Sequence, residues 1–144
     1  ASDVYKRQHT SCPGSDLWGA PLSGVDLSYA DFRRADLTAA DMSDALLYGA
    51  NLANASLITH GGPDGRVGNI DLSGADLRNA NLSGVAAQSS NWSYADLRGA
   101  NLRGADIIGV NVRGVIWGNT TCPNGKKSNR TKGRRCSTSP FGPF

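Results

Sequence analysis

The chain has 144 residues and a formal net charge of +3, with 15 Lys and Arg set against 12 acidic residues that are all Asp. That length allows one domain, and no apolar run is long enough to cross a membrane as a helix. The absence of Glu, a histidine complement limited to His9 and His60, and 18 glycines offer little to a catalytic site and much to a tightly bent chain.

Taken from the start, Ala1–Gln8 (ASDVYKRQ) is unlike the rest of the chain and reads as an in-frame translation of a sequencing-library adaptor. On that expectation residues 1–8 are an artefactual leader, to be left out of fold reasoning. His9–Gly14, with Cys12 ahead of a Pro-Gly turn, is expected to be the remnant of an N-terminal cap.

From Ser15 a five-residue unit begins. Its central large residues run Leu17, Leu22, Leu27, Phe32, Leu37, Met42, Leu47, Leu52 and Leu57, then Leu72, Leu77, Leu82, Trp92, Leu97, Leu102, Ile107, Val112 and Trp117. Two residues before most centres stands Ala or Val. Positions two apart share a face only in an extended chain, so each unit is a very short strand with one large and one small residue inward. The residue between them is nearly always Asp or Asn and points out. The unit often closes with Gly or Asn, which tolerate the positive φ of a bend. A chain that bends after every short strand must coil and stack, pairing the backbone of one turn with the next. The predicted core is Leu27, Phe32, Leu37, Met42, Leu47, Leu52, Leu57, Leu72, Leu77, Leu82, Trp92, Leu97, Leu102, Ile107, Val112 and Trp117, with Trp117 plugging the C-terminal end. Pro21, at an outward position, is expected to cost a ladder hydrogen bond.

Residues 60–69 (HGGPDGRVGN) break the pattern but keep its phase. Either two degenerate units continue the coil, with Gly62 and Val67 as poor centres, or a loop leaves it. His60, Asp64 and Arg66 make it a candidate binding loop; the plainer reading is a tolerated insertion, since one His and one Asp do not make a metal site. Regular units resume at Ile70 and end at Asn119. Thr120–Phe144 is a basic tail with six Lys and Arg, no acid, and Cys122 and Cys136 bracketing the basic stretch.

The clearest units are ADLRG, ANLRG, ADIIG and VNVRG at Ala95–Gly114. With the other in-phase units of Ser15–Asn119 they resemble the pentapeptide-repeat family, whose unit is written A(D/N)LXX. The resemblance implies an all-β fold: a right-handed quadrilateral parallel β-helix, here of about five turns. It also places the tail, because some members carry a similar TTCP-(D/N)-G segment followed by a later Cys.

A Cys122–Cys136 bridge would contribute about 3 kcal/mol by loop entropy and would accord with an exported protein. Free thiols are the alternative. A zinc site is a poor third, since three Cys with no nearby His match no zinc spacing. Cys12 is then left odd.

The repeat body carries eleven Asp and seven Arg, net −4, and the tail is net +6. That asymmetry points to an anionic surface partner for the tail, such as lipid, polysaccharide or nucleic acid; a solvated extension is the plainer account. Outward Asp residues lack the burial a general acid needs, no nucleophile–histidine pair is evident, and the glycines follow the five-residue period rather than a phosphate-binding motif. The expectation is a non-enzyme without cofactor, metal or small-molecule substrate. Two functions remain: an exported structural or protein-interaction scaffold, or an intracellular DNA-mimic inhibitor of a type II topoisomerase, which the resemblance allows but Arg33, Arg78, Arg98, Arg103 and Arg113 on the outer surface oppose. An uncapped coil end predicts self-association.

Overall fold

A computed structural model of the chain describes residues 10–57, 70–128 and 135–136. The unit Val25–Tyr29 shows how the sequence builds the fold. The N–H of Leu27 donates to the carbonyl of Leu46 in the next turn at 2.8 Å, and that of Tyr29 to Tyr48, also at 2.8 Å. The N–H of Ala30 closes the bend onto the carbonyl of Leu27 at 3.0 Å, and that of Asp31 reaches back to Thr10 in the preceding turn at 2.8 Å. One donor per unit is left over, the N–H of Ser28, and Oδ1 of Asp26 accepts it at 3.1 Å. The five consecutive amides from Leu27 to Asp31 are thereby paired. The same side-chain cap recurs from Asp36 to Thr38, Asn51 to Ala53, Asp76 to Arg78 and Asn101 to Arg103. The outward position is Asp or Asn because the fold needs an acceptor there, whatever its charge.

Parallel bridges join residues 20 apart, as Ser11 to Asp31 and Asp31 to Asn51, so four units complete one turn. The coil therefore has four faces. Face 1 is centred on Leu17, Leu37, Leu57, Ala87 and Ile107. Face 2 is centred on Leu22, Met42, Leu72, Trp92 and Val112, and face 3 on Leu27, Leu47, Leu77, Leu97 and Trp117. Face 4 is centred on Cys12, Phe32, Leu52, Leu82, Leu102 and Cys122. The centres and the small residues beside them fill the interior as one narrow column, solvent-free from Phe32 to Leu102.

The bridge spacing changes once. Asp41 pairs with Asp71, Leu46 with Asp76, Asn51 with Asn81 and Ser56 with Ala86, steps of 30. A coil continued through units centred on Gly62 and Val67 would have paired Asp41 with residue 61. Leu57 and Leu72 are instead consecutive centres among the described residues. The candidate loop residues His60, Asp64 and Arg66 lie outside the described residues.

The coil is also longer than the recognisable repeats. Thr10–Gly14 and Thr120–Asn124 lie in the ladder on face 4, with Ser11 bridged to Asp31 and Thr121 to Asn101. Their letters, TSCPG and TTCPN, lack Leu, but a cysteine side chain is a compact hydrophobe that fills the same inward position. After Cys122 the chain takes positive φ at Gly125 and reverses. Lys127 bridges Thr121 antiparallel, the N–H of Cys122 donates to Lys126, and that of Ser128 to Thr120. This reversal covers the strand edge that the last turn would expose on face 4. Cys122 and Cys136 form a disulfide with Cα atoms 5.2 Å apart, both buried at the end of the core.

Two expectations need revision. Val112 is partly buried rather than in the core, because among the described residues it stands in the last rung of face 2. Pro21 interrupts none of the described ladder: it is in the first described rung of its column, and the N–H at that position points toward the N-terminal side, as Asp41 does to Ala20.

The bend demands positive φ at the last position of every unit, whether or not Gly is there. Tyr29, Arg34, Ala39, Asp44, Ser89 and Tyr94 all adopt it. For Ala39, at φ 61°, this is the left-handed strain that a Cβ makes costly. Ala39→Gly is expected to stabilise the coil by about 0.5–1 kcal/mol, the relief exceeding the extra chain entropy of Gly. Thermal melting checks this; an unchanged or lower Tm would show that the strain is not felt.

Candidate functional site

With the interior filled and the bends capped, the chemistry open to a partner is what the four faces display. Among the described residues no group of three or more His, Cys or Asp side chains is placed to hold a metal. No helix there is long and apolar enough to cross a membrane.

Face 3 differs most from the repeat rule. Its outward column reads Asp26, Leu46, Asp76, Asp96 and Ile116, and the column after its centres reads Ser28, Tyr48, Arg78, Arg98 and Gly118. Leu46 and Ile116 occupy positions where an acceptor is the rule, and they are 44% and 39% exposed. Tyr29 and Val25 extend the apolar end beside Leu46, and the ring of Tyr29 meets that of Tyr48 edge-on at 5.5 Å. Tyr29 can lie flat only because Gly49 faces it: a Cβ there would sit 2.8 Å from the ring.

The middle of the face is an ion-pair ladder. Arg78 donates to Asp76 at 2.8 Å within its rung and lies 3.9 Å from Asp96 in the next, while Arg98 forks onto Asp96. The Arg78 guanidinium also sits 5.3 Å above the Tyr48 ring, whose hydroxyl accepts from Asn79 at 3.1 Å. The result is a run of Tyr, Arg and Asp side chains in contact with one another, with Leu46 at its end.

The carboxylates register these contacts. Hydrogen bonds from Arg78 hold Asp76 below the usual carboxylate range, and those from Arg33 do the same for Asp31. The Ser43 hydroxyl lowers Asp41. At Asp96 partial burial pulls upward, but the hydrogen bonds and charge of Arg98 outweigh it and the group ends low. A carboxylate with a depressed folded pKa adds stability above its unfolded pKa and forfeits it as pH falls through the folded value. Stability is therefore expected to hold from neutral pH to about 4 and to decline below that. Urea midpoints at pH 7, 4, 3 and 2 check this. A midpoint that rose on acidification would contradict it.

Cys122 and Cys136 are brought together, and the predicted core centres line one column. The cluster of Tyr29 with Tyr48 beside Leu46, and Ile116 three rungs away on the same face, escaped the sequence reading. The available signal was an apolar residue at an outward position, visible at Leu46 and Ile116 in the five-residue period; that the two share a face depends on the step of 30 from Leu46 to Asp76.

The pentapeptide-repeat model matches residues 8–38, 30–58, 67–86 and 80–116, in eight copies. No curated protein matches the chain. Among solved structures, the chain is similar to a pentapeptide repeat protein of the Arabidopsis thaliana thylakoid lumen, at 28% identity and TM-score 0.46 over 76% of this chain and 66% of that one. It is similar to a plasmid-mediated fluoroquinolone resistance protein at 14% identity and TM-score 0.49, over 78% and 58%. A pentapeptide repeat protein from Nostoc shows 24% identity and TM-score 0.42, over 90% and 83%. The chain thus spans just under two thirds of the first of these and less of the second. No catalytic family is matched, and a four-unit turn, parallel ladder and Leu-and-Ala core agree with the matched repeats: this protein belongs to the pentapeptide-repeat family, with its right-handed quadrilateral β-helix.

Proposed function

We propose that this protein is a non-enzymatic scaffold, exported from the cytoplasm, that holds a protein partner on face 3. The observation that carries the reading is the stripe of Tyr29, Leu46, Tyr48, Arg78 and Ile116. Aromatic and Arg side chains are the residues that dominate binding energy at protein interfaces. They stand here on rigid rungs, so a partner meets them with little ordering cost. The buried Cys122–Cys136 bridge supports export, since such bonds persist in oxidising compartments.

Two experiments test the two halves. Alkylation at the moment of cell lysis should modify one thiol per chain, Cys12; modification of all three cysteines would contradict export. A photo-crosslinker at position 48 should capture one partner protein, and Leu46→Asp with Ile116→Asp should abolish the capture. Capture unchanged in that variant would remove face 3 from the reading.

The DNA-mimic reading draws on faces 1 and 2, where Asp16, Asp36, Asp106, Asp41, Asp44 and Asp71 are opposed among the described residues by Arg113 alone. Arg78 and Arg98 confine that field to one side of the rod. Inhibition of a type II topoisomerase in a supercoiling assay, lost on neutralising Asp41 and Asp71, would favour it over the scaffold.

A further inference from the structure

The capping role of the outward residue leaves its charge free. On face 4, Asp31 caps Arg33 at 3.1 Å, Asn51 caps Ala53 at 3.1 Å, Asn81 caps Ser83 at 3.0 Å and Asn101 caps Arg103 at 3.0 Å. Aspartate and asparagine make the same bond, so the fold does not choose between them. Face 1 uses Asp at 16, 36 and 106, and face 3 uses Asp at 26, 76 and 96. Face 4 keeps one Asp, paired with Arg33 at 2.7 Å, and turns to Asn in every later capped rung. It also carries Arg34 and Arg103, both exposed, and the reversal that covers its end adds Lys126 and Lys127. Face 4 is thus a positive strip on the side of the rod opposite acidic face 2.

Three features define what would lie on it. None of the large exposed hydrophobic residues is on face 4, and its one aromatic, Phe32, is buried. Insertion into a bilayer wants exposed apolar groups, and single-stranded nucleic acid wants aromatic platforms. The cations are sparse: Arg33 and Arg34 stand three rungs from Arg103, about 14 Å at the strand spacing. Between the cations lie amides and hydroxyls, namely Asn51, Asn54, Asn81, Ser83 and Asn101. At the first cations, Pro13, Gly14, Arg33 and Arg34 line a cleft of about 250 Å³. That is below the ~300 Å³ of a site for a whole small ligand, and suits one monomer of a chain.

We propose that face 4 is a docking strip for a linear anionic polysaccharide of the polyuronate class, its carboxylates meeting Arg34, Arg103 and Lys127 and its hydroxyls the Asn and Ser groups between them. This goes beyond the protein-binding role of face 3 and does not depend on it.

The test is affinity electrophoresis and calorimetry of the full chain with polygalacturonate at low salt, beside a neutral glucan, duplex DNA and phosphatidylserine vesicles. Selective, salt-sensitive binding of the polyuronate is expected. N51D/N81D/N101D retains every turn cap while setting three new carboxylates among the cations of the strip, so it should melt with the parent and bind at least tenfold more weakly. R34Q/R103Q, which leaves the ladder untouched, should lose at least fivefold and serves if the triple variant is unstable. Undiminished binding by the folded triple variant, or by R34Q/R103Q, would overturn the proposal. So would equal affinity for DNA or for the vesicles. If R130Q/K132Q/R134Q alone abolishes binding, the tail is the site and face 4 is not. L46D/I116D should bind polygalacturonate unchanged, which separates failure of this strip from failure of face 3.

Discussion

Cys136→Ser is expected to lower the unfolding free energy by about 3 kcal/mol, the entropic value for a closed loop of some fifteen residues. The bridge spans a sequence separation of 14 and ties a buried Cys136 to the last inward position of face 4. Its loss frees the segment beyond the Thr121–Lys127 reversal. It also leaves a buried Cys122 thiol where the core ends against solvent. Urea unfolding of the oxidised parent and the variant reads the difference. Reduction of the parent should reproduce the variant's stability only after long incubation or partial unfolding, since both sulfur-bearing residues are shielded from a thiol reagent. A variant within about 1 kcal/mol of the parent would mean that the antiparallel reversal closes the coil unaided.

Trp92→Leu is expected to cost about 2 kcal/mol, and Ala87→Leu added to it to restore most of that loss. The four centres of this turn are Ala87, Trp92, Leu97 and Leu102, where the turn Ala35–Asn54 has Leu37, Met42, Leu47 and Leu52. One centre is undersized and its neighbour oversized, yet both are fully buried. In a close-packed interior, the indole takes the volume that a leucine on face 1 would fill. It does so despite an Nε1–H that is buried without an acceptor, a group whose burial costs about 1–3 kcal/mol. Ala87→Leu alone should overpack the turn and cost about 1–3 kcal/mol. A double-mutant cycle in urea measures the coupling. If the two substitutions add to within about 0.5 kcal/mol, the residues do not share space and the indole does not compensate for Ala87.

Of the surfaces, only part was legible. The outward Asp and Asn residues were identifiable as turn formers, and Arg78 and Arg98 as neighbours one turn apart, because a five-residue period with four units per turn sets both. That Arg78 packs over Tyr48, thirty residues earlier, depends on the steps of 30 in the ladder. Without that register change Tyr48 would have stacked under residue 68. His60, Asp64 and Arg66, named from the same stretch, lie outside the described residues, and their role as a binding loop stands as a proposal.

The amino-acid sequence by itself determined the inward and outward positions, the Leu-and-Ala column, the family and the place of the bends wherever Gly or Asn marks them. It could do so because a period of five, read on an extended backbone, admits one periodic solution. The tertiary structure decided the rest. It put Cys122 in the core column and Cys12 against its end although neither stands in a unit with a Leu centre, and it placed Tyr29, Arg34 and Ala39 in left-handed bends against their own preference. It also chose the steps of 30 that bring Leu46 beside Asp76. The reason is common to all three. A stacked coil satisfies its amides turn against turn, so the register of the ladder overrides the local preference of any one residue.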